Sequence, residues 1–129
     1  MVFLLSLTAL VLSYLINKRM LRLFRENAVI FGAPVFEELF KTLPAYFLNR
    51  SVLHVHLLFG LGEALYDFFT GKRESGRWAA WASLISHSLF GVITYWILDR
   101  NGKIFPALAA AILAHCAWNF TIMRIGRKE

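Results

Sequence analysis

Apolar residues occupy five long stretches of the chain, about Val2 to Ile16, Asn27 to Leu48, Val52 to Thr70, Trp78 to Leu98 and Ile104 to Ile125. The last four approach the roughly 20 residues that a helix needs to cross a hydrocarbon core. The first covers about 15 residues, or roughly 22 Å of helix, and spans only with local thinning or tilt of its neighbours. Short polar connections separate the stretches: Asn17 to Glu26, Asn49 to Ser51, Gly71 to Arg77, and Asp99 to Lys103, the last carrying the turn signal Asn101-Gly102. Loops this short join antiparallel neighbours. The pattern predicts an all-α fold, a polytopic membrane bundle of about five transmembrane helices in a single domain, 1–129, with a core at about 27–125 and an N-terminal helix and basic loop over 1–26. Pro34 removes a backbone donor and crowds the turn before it, so a kink is expected just ahead of Glu37.

Composition agrees with that architecture. With 58% apolar residues, 17% charged residues and a mean hydropathy of +0.56, the 129-residue chain lies outside the range of ordinary soluble domains. The first stretch reads as an uncleaved anchor, because no basic residue precedes it and no small-x-small site follows it. Five spans put Lys18, Arg19, Arg22, Arg25, Lys72, Arg73, Arg77, Arg124, Arg127 and Lys128 on one side, against Arg50, Arg100 and Lys103 on the other. The larger group belongs in the cytoplasm, so the N-terminus is expected outside and the C-terminus inside. Lipid-flanking lysine and arginine thus account for the net charge of +6 with no need of nucleic-acid binding. Cys116 stands alone, without a disulfide or metal-binding cysteine partner, and is read as a packing residue. No internal repeat is evident.

Against this apolar background Glu37, Glu38, Lys41, Glu63, His87 and His115 stand out. A charge at the bilayer centre costs about 2.5 to 3.5 kcal/mol on insertion scales, so such residues pair, face water or do chemistry. Helical spacing puts Pro34, Glu37, Glu38, Lys41 and Ala45 on one face of the second helix, and Phe36, Leu39, Phe40, Leu43 and Phe47 on the other. The third helix carries His56, Phe59, Gly60, Glu63, Tyr66, Asp67 and Thr70 on one stripe, the fourth Ala80, Ser83, His87, Gly91 and Thr94, and the fifth Ala111, His115 and Asn119. Glu37, Glu38, Glu63, His87 and His115 all lie about ten residues from their helix starts, so they share one depth near the midplane. This favours a convergent site. Lys41 is in reach of both neighbouring glutamates, and a paired and an unpaired carboxylate side by side suit base and acid roles. His115 and Asn119, one turn apart, can donate to one developing oxyanion. His54 and His56 are placed near the wet outer end of their helix with no catalytic role, and Asp67 is expected to meet Lys72 or Arg73. Tyr14, Tyr46, Trp78, Trp81, Tyr95 and Trp96 fit an interfacial aromatic belt.

In order along the chain, Glu37-Glu38-Leu39-Phe40-Lys41 matches an EExxK motif and Phe59-Gly60-Leu61-Gly62-Glu63 an FxxxE motif. His87-Ser88-Leu89-Phe90-Gly91 and His115-Cys116-Ala117-Trp118-Asn119 are similar to two later histidine motifs. Together they resemble the PrsW-type intramembrane proteases, within the group that contains the CAAX prenyl proteases and the Abi proteins. Lys41 and Glu63 depart from the CAAX branch, which favours arginine and FxxxH there. The resemblance implies hydrolysis of a peptide bond in a membrane-protein or membrane-associated peptide substrate, in the plasma membrane of a prokaryote. It implies Glu37 or Glu38 as general base, His87 assisting, His115 with Asn119 at the oxyanion, and Lys41, Glu63 and Phe59 in the same site. No cofactor is favoured. Zinc on Glu38, Glu63, His87 and His115 is the metal alternative, although HExxH is absent. Haem held by His87 and His115, a proton or ion translocator, and a scaffold without catalysis are the competing functions.

Overall fold

The computed structural model describes residues 1–126 and contains, among them, helices and no strand. Helix α1 spans Val2–Phe24, α2 Ala33–Phe47, α3 Val52–Thr70, α4 Arg73–Asn101 and α5 Ile104–Gly126, with a π-helical turn, Ala28–Gly32, leading into α2. Four of these, α1, α3, α4 and α5, are long and apolar enough to cross a membrane. The exception is α2, 15 residues long and the carrier of Glu37, Glu38 and Lys41. The molecule is an all-α integral membrane bundle in which the shortest α-helix, α2, packs against α1, α3 and α5.

Two helices are longer than the apolar pattern predicts. The α1 helix does not stop at Ile16 but continues through Asn17–Phe24, so the short first span becomes 23 residues. Its polar extension, Asn17-Lys18-Arg19-Met20-Leu21-Arg22, is made of good helix formers after Asn17 and holds no glycine or proline to end it. Helix α4 takes in most of two expected loops, one at each of its ends, leaving Gly71-Lys72 and Gly102-Lys103 as the connections. Gly102 closes α4 in the left-handed conformation, φ 62°, as the Asn101-Gly102 signal suggests. Arg127 and Lys128, counted with the basic group, lie outside the described residues.

The expected irregularity before Glu37 takes the form of the π turn. Pro34 sits in the first turn of α2, where its missing N–H is harmless. The wider turn before it, closed by Ala33 N–H on the Ala28 carbonyl, relieves the crowding that the ring would impose on a regular helix.

The tightest helix pair is α3 with α4, and glycines make it possible. A Cβ on Gly60 would lie 2.8 Å from His87 Cβ and 3.3 Å from the Ser83 carbonyl oxygen. One on Gly91 would lie 2.7 Å from His56 Cβ. Each glycine therefore seats a histidine of the facing helix. Gly91→Val is expected to destabilise the protein by about 1 to 3 kcal/mol, as overpacking does. It should also displace His56, and chemical denaturation together with the His56 imidazole NMR shift checks both effects.

The two ends of the bundle differ. One is closed by Ala45, Val52 and Val55, with Val2, Leu5 and Leu98 packed against them. The other holds a cavity of about 1080 Å³ between α1 on one side and α4 and α5 on the other. Of the expected belt residues, Tyr46, Trp78, Trp81, Tyr95 and Trp96 are exposed, as lipid-facing anchors require, whereas Tyr14, also exposed, packs on Tyr66 at the cavity lining.

Candidate functional site

Charged groups meet where α2, α3, α4 and α5 converge. The stripe read on α2 is its buried face, with Glu37, Glu38, Lys41 and Ala45 all enclosed and Thr42 added to them. At the centre is Lys41, wholly buried. Its Nζ donates to Glu38 Oε1 at 2.6 Å, approaches His87 Nδ1 at 2.9 Å and lies 4.6 Å from the centroid of the Phe59 ring. A desolvated ammonium is thus satisfied by a carboxylate, an imidazole nitrogen and a π face at once. Lys41 pairs with Glu38 and not with Glu37, which splits the two adjacent glutamates into different surroundings.

Glu38 is sealed. Besides Lys41, its Oε1 meets His115 Nδ1 at 3.0 Å, while Oε2 makes no hydrogen bond and has His56 Nε2, which contacts the Thr42 hydroxyl, 3.2 Å away. Here the expectation for His56 fails. It is buried and belongs to the cluster, because Gly91 lets α3 approach α4 closely at that level. His56 shares the α3 stripe with Phe59 and Glu63, and that register was the signal for it. His54 behaves as expected, exposed and bonded to the Ser51 hydroxyl at 2.6 Å.

Glu37 faces the other way. It lines the cavity, accepts a hydrogen bond from Asn17 Nδ2 at 2.7 Å, and has His115 Nε2 at 3.7 Å. Asn17 is a site residue that the loop reading of this segment concealed, and it arrives because α1 continues past Ile16. Glu63 also lines the cavity and meets His87 Nε2 at 2.5 Å. Both histidines are wedged among rings, His87 against Phe59 and His115 stacked on Phe90 with centroids 4.6 Å apart.

Two further expectations change. Asp67 does not pair with Lys72 or Arg73 but accepts from Ser83 Oγ at 2.7 Å, since α4 begins earlier and brings Ser83 alongside it. Asn119 lines the same cavity as His115, yet its Nδ2 donates to the Val29 carbonyl at 2.9 Å. The π turn leaves that carbonyl without its usual partner, and one amide hydrogen of Asn119 remains for the cavity.

As a metal set, Glu37, His87 and His115 each offer one donor atom, all within 4.8 Å of one another. Glu38 and Glu63, on which the sequence pattern would place the metal, are not in this group. Tetrahedral zinc holds its donors at about 2.0 to 2.1 Å, hence roughly 3.4 Å apart. His87 has both ring nitrogens engaged, by Lys41 and by Glu63, and a dication there would face the Lys41 ammonium. The residues present fit a metal poorly. Haem fits no better, for the His87 and His115 rings touch edge to face at 5.1 Å rather than opposing each other across a macrocycle. Comparison with protein-family models, with curated proteins and with solved structures finds no match, and the likeness to PrsW-type proteases rests on the four motifs.

Proposed function

We propose that the chain is an intramembrane endopeptidase that uses Glu37 to activate water for hydrolysis of a peptide bond in or beside the bilayer. The observation that carries this reading is the split between adjacent glutamates. Glu38 is wholly buried with Lys41 and His115 both on its Oε1 and His56 beside its Oε2, whereas Glu37 lines an apolar cavity large enough for a peptide segment. Glu37 takes a proton from water as the oxygen adds to the substrate carbonyl, then delivers it to the leaving amine. His115, held on Glu38 through Nδ1, turns Nε2 to the cavity side by Glu37, and with the spare Asn119 amide hydrogen it supplies the contacts for the developing oxyanion. Lys41 and Glu63 grip the two nitrogens of His87 and fix that ring beside His115.

Proton or ion translocation is not favoured by the geometry. The contacts Glu63, His87, Lys41, Glu38, His115, Glu37 begin and end on one cavity, and the side branch from Glu38 to His56 and Thr42 ends on wholly buried groups. The charge asymmetry supports a cytoplasmic C-terminus, and the motifs support the plasma membrane of a prokaryote. The cavity end of the bundle is then the cytoplasmic end. In reconstituted vesicles a transmembrane peptide should be cut by the wild type with or without a chelator. His115→Ala should cut about 10² to 10³ times more slowly, the loss expected for an oxyanion donor. Equal rates for wild type and His115→Ala would refute the reading, and activity removed by chelation and restored by zinc would refute its metal-free form.

A further inference from the structure

The cavity wall contributed by α1 is not uniformly apolar. Ser13 is 2% exposed and its Oγ has no hydrogen-bond partner; Asn17 is partly exposed, but its Oδ1 is buried and likewise without a partner. Both residues line the cavity, on the same face of α1 and one turn apart. Unpaired polar atoms in a low-dielectric wall are costly, typically about 1 to 3 kcal/mol each, so their persistence calls for a ligand that completes them. A lipid tail offers nothing to either. A transmembrane helix offers little, because its backbone groups are already bonded within the helix. An extended polypeptide offers both donors and acceptors, and it needs partners for them within a membrane.

The spacing fits an extended chain. Residues four apart on a helix are separated by about 6 Å along its axis. Alternate residues of an extended strand are about 6.6 to 6.8 Å apart and present backbone groups on the same side. Asn17 also ties this wall to the chemistry, since its Nδ2 donates to Glu37 while its Oδ1 is the unpaired atom.

We propose that Ser13 and Asn17 form a backbone-docking rail that holds an unwound segment of a membrane polypeptide along α1, Asn17 Oδ1 accepting a peptide N–H and Ser13 Oγ donating to a peptide carbonyl. The inference rests on the protease reading, for it assigns the substrate conformation at that site: the peptide enters as extended chain, and its backbone is gripped next to Glu37. Helix α1 is suited to this task because it packs on α2, α3 and the π turn, and Ser13 and Asn17 sit where that packed face borders the cavity.

The test reads binding, not cleavage. A dansyl-labelled apolar peptide of about 20 residues with a central Gly-Pro is added to the full chain in nanodiscs, and energy transfer from the native tryptophans, including cavity-lining Trp118, gives Kd. Ser13→Ala should raise Kd about three- to tenfold, the range for one neutral hydrogen bond, whereas Ser88→Ala, bonded within its own helix, should leave it unchanged. Peptides N-methylated at successive central amides should include one that binds about three- to tenfold more weakly to wild type but not to Asn17→Ala, a coupling that a purely structural role would not produce. A helical poly-leucine peptide should compete poorly. The rail is overturned if the Gly-Pro peptide fails to bind wild type, if Ser13→Ala binds it unchanged, or if every N-methyl penalty is the same in Asn17→Ala. Coupling without any cleavage would refute the protease reading alone, and cleavage without coupling would refute the rail alone.

Discussion

Glu37→Gln is expected to leave the fold intact and to lower the cleavage rate by about two to four orders of magnitude, the range for loss of a general base. The amide keeps an oxygen for Asn17 Nδ2 and the same volume, so the packing of α1 on α2 survives. Glu38→Gln should behave in the opposite way. Its Oε1 is the common acceptor for Lys41 and His115, and a neutral amide cannot balance the buried ammonium. Removing one partner of a buried pair costs about 3 to 5 kcal/mol, so Glu38→Gln should lower the denaturation midpoint strongly and lose activity with its fold. Paired measurements of unfolding midpoint and cleavage on the two variants separate the roles. If Glu37→Gln cuts normally, or if Glu38→Gln proves as stable as wild type and only inactive, the assignment of base and anchor is reversed or wrong.

How much of this site the sequence reveals depends on which physical signal each residue carries. The α2 stripe is plain because three charges at helical spacing in an apolar run have no cheap alternative to burial against partners. Glu63, His87 and His115 follow from the same reasoning, and the structure brings them within hydrogen-bonding reach of that stripe or of one another. The division between Glu37 and Glu38 is not visible from spacing, since adjacent residues differ by only 100° on a helix and only the surrounding helices decide which meets the cavity. His56 was obscured by nearness to a helix start. Depth counted along one helix ignores how far its neighbour overlaps it, and Gly91 is what admits the ring. Asn17 is hidden in the sequence because the apolar run ends at Ile16 while the helix continues to Phe24. Polar helix formers extend α1 by two turns, and the first of those turns carries the contact to Glu37. The π turn left no sequence mark beyond Pro34, yet it frees the Val29 carbonyl that holds Asn119.

The second large effect is expected at Lys41. Lys41→Met fits the space and preserves the apolar stem, but it leaves the Glu38 carboxylate buried without its cation and His87 Nδ1 without a donor. A loss of about 3 to 5 kcal/mol follows. Lys41→Arg should not rescue it, because the planar guanidinium needs a wider cradle than the one closed by Glu38, His87 and the Phe59 ring. If the loss comes from stranded charge and not from packing, then removing that charge should recover much of it. The double variant Lys41→Met with Glu38→Gln should therefore be more stable than the sum of the single losses predicts, by about 1 to 3 kcal/mol of coupling. It should remain inactive, since His115 loses the carboxylate oxygen that holds its ring in place. Unfolding midpoints for the four members of the cycle measure the coupling directly. Additive losses would mean that Lys41 acts through packing alone, and the account of α2 as a charged helix made tolerable by its internal ion pair would then be incorrect.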